Sequence, residues 1–164
     1  MQDLLNQIKR GLDCNLYYLC LFVALAIPDV CGALESEDGL ASKDKYINWF
    51  EKNVKTPESF LTGQDCYYFR CSMLHKGTTG HPKSSFKGIA FIEPGSTNNT
   101  VHNCNLSGMY CIDIGKFCTD IISAAYNWLE SKSKDADFVK NYDKFVKRHP
   151  DGLAPYITGV SVIS

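Results

Sequence analysis

The chain has 164 residues, of which 45% are hydrophobic and 21% are charged, and its formal net charge is -1. This length suits one domain and is too short for two domains of ordinary size. The nearly neutral charge excludes a protein that binds nucleic acid chiefly through a strongly basic surface. Any contact with RNA would have to come from a local patch of basic residues.

The first two predicted elements are helices. Apolar residues recur at steps of one, three or four over residues 4–27, which predicts one long helix that Pro28 ends. Its most apolar part, Leu16–Ile27, is shorter than the roughly 20 residues that cross a bilayer, so it is interpreted as a buried helix and not as a membrane segment. A secretory leader is the alternative interpretation. Helical spacing resumes over residues 40–54, with Ser42 as the predicted N-cap.

The third predicted helix covers Gly63–Lys76 and carries signals at both ends. Thr62 can cap its first turn, and Asp65 lies where a carboxylate complements the free amide groups and the positive end of the helix dipole. Gly77 follows the last turn, where a left-handed residue commonly ends a helix.

The next segment changes character and predicts a β insertion. Short β-prone runs separated by turn residues indicate a small antiparallel β-hairpin, or a three-stranded meander, over about residues 86–114. Helical spacing returns over residues 115–132 and again over residues 136–148, and a turn with one edge strand is expected after that. The predicted fold is therefore mainly α: a single domain over residues 1–164, built as an up-and-down helical bundle with a small antiparallel β-hairpin insertion.

Eight cysteines are present, mostly inside apolar segments. Their close spacings do not include the C-x2-C pairs that are typical of structural zinc sites. Reduced thiols that act as small core hydrophobes are the preferred interpretation. We therefore expect no metal, no cofactor and a cytoplasmic location.

Arg70 and His75 are the candidate catalytic residues. Five positions on an α-helix correspond to about 140° of rotation, so the two side chains do not share a face in the tight i, i+4 sense, but they could still address one groove from two sides. A histidine can move a proton to or from a ribose 2′-hydroxyl, while a guanidinium neutralises charge that develops on a phosphate. The candidate substrate-binding residues are Ser72, Lys76, His81 and Lys83.

The segment "RCSMLH", Arg70–His75, resembles the R-x4-6-H motif of the HEPN superfamily, which consists of small all-α up-and-down bundles with this motif on the third helix. The resemblance implies a metal-independent endoribonuclease in which the motifs of two protomers form a composite site across a dimer interface. In this chain Arg70 would bind the phosphate and His75 would be the acid and base. Many members of the superfamily act as toxins or in defence against phage, and some pair with a nucleotidyltransferase partner. The chain also resembles a group of uncharacterised bacterial proteins, which implies no chemistry.

Three functional hypotheses remain open at this level. HEPN nucleases usually have a polar residue directly after the arginine, but Cys71 stands there, which favours a catalytically silent module that binds a nucleotide or a protein. A structural protein with an accidental motif is the third hypothesis. Cys71 and His75 could also form a thiolate and imidazolium pair, although a buried cysteine is the simpler interpretation.

Overall fold

The structure is a computed structural model that describes residues 1–164. About 49% of the chain is helical and the sheets are small, which confirms the mainly α prediction. The helices are α1 (Gln2–Asp13), α2 (Tyr17–Leu34), α3 (Lys43–Asn53), α4 (Gly63–Lys76), α5 (Ile114–Lys132) and α6 (Ala136–Tyr142). The longer strands are β1 (Gly88–Ile92), β2 (Cys104–Leu106) and β3 (Met109–Asp113). Four strands of two residues follow α6: β4 (Arg148–His149), β5 (Gly152–Leu153), β6 (Ile157–Thr158) and β7 (Val162–Ile163).

The predicted long helix over residues 4–27 is two helices, so the prediction of one element was wrong. Asn15 has a left-handed backbone with φ of 58°, which interrupts the chain between α1 and α2. A Cβ atom at Gly11 would lie 2.6 Å from Cys20 Sγ, so a larger residue at this position would displace the Cys20 side chain. The apolar periodicity continues through the break because both helices bury residues in the same core.

Pro28 does not end α2, contrary to the prediction. The helix continues six residues further to Leu34 and packs against α3, α4, α5 and α6. Ile27 and Cys31, on either side of the proline, have no exposed surface. Burial of this part of the helix offsets the hydrogen bond that proline cannot donate.

The continued helix is long and apolar enough to cross a membrane by length and composition, with a mean hydropathy of 1.8 over Tyr17–Leu34. Half of that window is buried inside the chain, and core helices of other proteins meet the same criterion.

Helices α3 and α4 begin at the predicted caps. The Ser42 side chain accepts a hydrogen bond from the Lys45 amide, and the Thr62 side chain accepts one from the Asp65 amide. Helix α4 has the predicted bounds and ends at Gly77, whose φ of 65° places it in the left-handed region. The prediction of α4 from its end signals is confirmed, but it is the fourth α-helix of the chain because the first predicted helix is divided.

The β insertion forms a mixed sheet with the order β1-β3-β2. Strands β2 and β3 pair antiparallel across Ser107 and Gly108, whereas β1 pairs with β3 in parallel, so a purely antiparallel meander is wrong. The loop over residues 93–103 leads from the end of β1 past β3 to the start of β2, and β2 then carries the chain back so that β3 runs parallel to β1. Strand β3 leads directly into α5, where Asp113 caps the helix by accepting a hydrogen bond from the Lys116 amide.

The core lies where α2, α3 and α5 meet and extends to α1, α4 and the sheet. Trp49 and Trp128 pack edge to face at 6.1 Å, and Phe138 of α6 contacts Trp128 in the same way. Five of the eight cysteines are buried (Cys20, Cys31, Cys66, Cys111 and Cys118), as expected for small core hydrophobes. Helix α6 ends at Tyr142, six residues before the predicted end, and the chain then forms the ladders β4 with β7 and β5 with β6.

Candidate functional site

The Arg70 and His75 side chains meet on the surface near the C-terminal end of α4. Arg70 Nη1 lies 3.4 Å from His75 Nε2, and His75 is exposed to solvent. The length of the arginine side chain spans the angular separation that the sequence predicts. A guanidinium only donates hydrogen bonds, so this contact requires an Nε2 atom that carries no proton. His75 is thus presented as a potential proton acceptor beside a fixed positive charge.

Asp29 of α2 completes the group from the neighbouring helix. Arg70 Nε lies 2.6 Å from Asp29 Oδ2, and the exposed fractions of the two side chains are only 21% and 12%. The Nε–H bond is not well aligned with Oδ2, so the contact is a close ion pair and not a well-directed hydrogen bond. This contact holds the guanidinium against α2.

Burial and charge act in opposite directions on this ion pair. Burial raises the pKa of the Asp29 carboxyl by more than Arg70 lowers it. Burial also disfavours the charged form of Arg70, but Asp29 and Cys71 outweigh it and raise the pKa of the guanidinium. The positive charge beside His75 is therefore secure, while the negative charge on Asp29 is the more costly of the two.

Cys71 and Tyr67 line the remaining side of Arg70. Arg70 Nη1 lies 3.8 Å from Cys71 Sγ, and the centre of its guanidinium lies 6.0 Å from the Tyr67 ring centroid. Cys71 thus lies directly beside the arginine. A thiol is a weak hydrogen-bond partner, so it supports the guanidinium less firmly than an amide oxygen would.

The four predicted substrate-binding residues differ in their exposure to solvent and in their contacts. Ser72 is only 1% exposed and its hydroxyl has no hydrogen-bond partner, so it does not reach the surface where a substrate would lie. Lys76 and Lys83 are exposed and have no ion-pair partner. His81 stacks on Tyr68 with ring centroids 4.5 Å apart and planes 3° from parallel, and its Nδ1 accepts a hydrogen bond from the Lys83 amide.

His81 and Lys83 belong to a loop over residues 78–87 that the buried Asp65 fixes to α4. One oxygen of the Asp65 carboxylate accepts hydrogen bonds from Ser84 Oγ at 3.0 Å and from the Ser85 amide at 2.7 Å. The other oxygen accepts one from Thr62 Oγ1 at 2.7 Å. The loop borders an open depression of about 560 Å³ that includes His81. In the sequence Asp65 is recognisable only as a helix-start signal, because nothing local indicates a contact twenty residues away.

Two other polar residues, Glu35 and His102, have structural roles. Glu35 accepts a hydrogen bond from Trp128 Nε1 at 2.9 Å and forms an ion pair with Lys132 at 3.3 Å. His102 Nδ1 accepts a hydrogen bond from the Asp113 amide at 3.3 Å. No group of three or more histidine, cysteine, aspartate or glutamate residues is arranged to hold a metal ion.

Comparison with protein-family models, with curated proteins and with solved structures gives no match to this chain.

Proposed function

We propose that the chain is a HEPN-like, metal-independent endoribonuclease of the toxin or defence type that acts in the cytoplasm. The observation that supports this proposal most directly is the 3.4 Å contact between Arg70 and His75 on the exposed surface of α4. An imidazole with an unprotonated nitrogen and a guanidinium can supply the proton acceptor and the positive charge that cleavage of an RNA backbone uses.

In this proposal His75 and Arg70 have different roles. His75 Nε2 removes the proton of a ribose 2′-hydroxyl and, once protonated, delivers a proton to the leaving oxygen. Arg70 leaves its contact with His75 and donates to the phosphate oxygens as negative charge develops on them. Lys76, Lys83 and His81 hold neighbouring phosphates and contribute no sequence preference. The buried Ser72 is not among the groups that contact RNA.

The proposed active form is a homodimer in which the helices form a HEPN-type up-and-down bundle. One histidine and one arginine per chain provide few groups for both proton transfer and charge stabilisation. A second copy of α4 would place two imidazoles and two guanidinium groups in one cleft. The exposure of His75 is compatible with such a cleft. A nucleotidyltransferase-type protein is the proposed partner that would hold the nuclease inactive.

The alternative is a catalytically silent HEPN-like module that binds a nucleotide or a protein through the same surface. The Asp29–Arg70 ion pair favours this alternative, because the guanidinium already has an anionic partner at 2.6 Å. Cys71 favours it as well, since a thiol gives little support to a phosphate-binding arginine.

The proposal is tested by incubating purified protein with total RNA in the presence of a metal chelator. We expect the wild type to cleave RNA, and we expect Arg70→Ala and His75→Ala to lower the rate by about 100-fold or more. Arg10→Ala and His149→Ala are matched controls outside the pair, and both should keep the wild-type rate.

Two results would decide against an enzyme that acts through Arg70 and His75. Cleavage that survives both substitutions would show that the activity belongs to another site or to a contaminant. If the folded wild type does not cleave RNA but binds a labelled oligonucleotide, and Arg70→Ala abolishes this binding, the silent module is supported.

A further inference from the structure

Cys104 and Cys111 lie directly opposite each other on adjacent strands. They are register partners in the antiparallel ladder of β2 and β3. Opposite residues in such a ladder have Cα atoms about 4.5–5.5 Å apart and side chains on the same face of the sheet. Disulfides need Cα separations of roughly 4.4–6.8 Å, so the backbone already satisfies the first requirement for a bond between the two sulfurs.

The two thiols interact but differ in exposure. Burial raises the pKa of the Cys111 thiol, and the neighbouring Cys104 thiol raises it further. Cys104 is half-buried and lies on β2, which is an edge strand of the sheet. A small reagent from solvent can therefore reach Cys104 first. Cys111 lies beside it and is only 4% exposed.

We propose that Cys104 and Cys111 form a reversible dithiol site whose substrate is a low-molecular-weight disulfide such as oxidised glutathione. The Cys104 thiolate attacks one sulfur of the reagent, which releases one reduced thiol and leaves a mixed disulfide. The Cys111 thiolate then attacks the Cys104 sulfur, forms the intramolecular bond and releases the second reduced thiol. Both protein thiols lose a proton, and the two electrons pass to the reagent.

The fold supports this exchange because the sheet need not be rebuilt. The Ser107–Gly108 turn sets the register of the hairpin, since both residues have positive φ, at 55° and 92°. The bond would close an eight-residue loop that the turn already holds together. Because burial raises the pKa of the Cys111 thiol, less of it is ionised near neutral pH, and the second step should become faster as the pH rises.

The test uses the complete wild-type chain and oxidised glutathione. Trypsin cleaves after Lys87 and Lys116, and the peptide over residues 88–116 contains no cysteine other than Cys104 and Cys111. After treatment, alkylation and digestion without reductant, we expect this peptide to lose about 2 Da and to take up no alkylating reagent. Dithiothreitol should restore the reduced mass.

The second arm compares the folded chain with the chain unfolded in urea. If the sheet brings the thiols together, bond formation should be about tenfold faster, or more, in the folded chain. Cys104→Ser must abolish the mass loss, while Cys14→Ser, at the exposed cysteine, must leave it unchanged. A peptide that stays reduced or carries only glutathione would overturn the proposal, as would an equal rate in the unfolded chain.

Discussion

Arg70 contacts three chemically different groups: the Asp29 carboxylate, the His75 imidazole and the Cys71 thiol. The guanidinium is planar and has five N–H groups, so it can address several partners at once. The same contacts make the arginine a structural residue as well as a candidate catalytic one. Loss of activity on substitution therefore needs a stability measurement beside it.

The ion pair gives the first prediction. Arg70→Ala should lower the free energy of unfolding by about 1–2 kcal/mol, because it leaves the largely buried Asp29 carboxylate without its partner. Asp29→Asn in the Arg70→Ala background should recover most of this loss, since a neutral amide costs less to bury. Urea denaturation of the wild type, the two single variants and the double variant measures the coupling free energy between Asp29 and Arg70. Strictly additive effects would show that the contact contributes nothing to stability.

The second prediction concerns pH. The pKa of Asp29 is raised in the folded chain above its ordinary value of about 4, so the folded chain binds more protons than the unfolded chain between these two values. The contribution of Asp29 to stability is complete below the ordinary pKa and is lost as the pH rises through the raised one. The difference in unfolding free energy between wild type and Asp29→Asn should fall across this window and then level off. A difference that grows with pH would mean that Arg70 outweighs burial at Asp29.

At the scale of the elements, α4 is the part of the fold that its own residues determine most completely. Its caps at Thr62 and Gly77 depend only on neighbours in sequence, and both were predicted correctly. Gly77 has no atom within 4 Å of the place where a Cβ would stand. A side chain at this position would therefore cause backbone strain but no steric clash.

The third prediction follows from that open space. Gly77→Ala should destabilise the chain by about 1 kcal/mol, because a Cβ disfavours the left-handed conformation. Gly77→Asn should cost less, since asparagine tolerates that conformation. Thermal unfolding of the two variants gives the comparison. A smaller loss of stability for Gly77→Ala than for Gly77→Asn would contradict this explanation.

The features that sequence analysis missed depend on distant contacts. Pro28 is normally a helix breaker, and only the packing of α2 against several other helices keeps the helix intact through it. The parallel pairing of β1 with β3 joins residues about twenty positions apart, across a loop without a distinctive signal. The candidate site likewise combines features that local sequence indicates with contacts that form only on folding. Arg70 and His75 were found from their spacing, whereas the contact with Asp29 and the link from Asp65 to Ser84 exist only in the folded chain.

At the scale of the whole molecule, the proposed nuclease depends on two copies of the chain. The fourth prediction is therefore a complementation experiment with Arg70→Ala and His75→Ala, each inactive alone. In a composite site, a mixed dimer keeps one arginine from one protomer and one histidine from the other. Mixing the variants after mild unfolding and refolding should restore part of the activity, up to about half from the statistical share of mixed dimers.

A site contained within one protomer gives the opposite outcome. Each chain of a mixed dimer would then lack one of the two groups, and no activity would return. Light scattering on the same samples reports whether the chains associate. Activity of the wild type that does not fall on dilution below the dimer dissociation constant would also exclude the composite site.

Strand β3 passes into α5 without a linker, and Asp113 is both the last residue of the strand and the cap of the helix. An insertion or deletion of one residue at this junction would rotate the whole of α5 by about 100° and turn its apolar face away from the core. The exposed part of the neighbouring loop, residues 95–100, is free of this constraint, because a change in its length alters neither the register of the sheet nor the orientation of a helix. Differences in length among related chains should therefore be concentrated in that loop and absent from the junction.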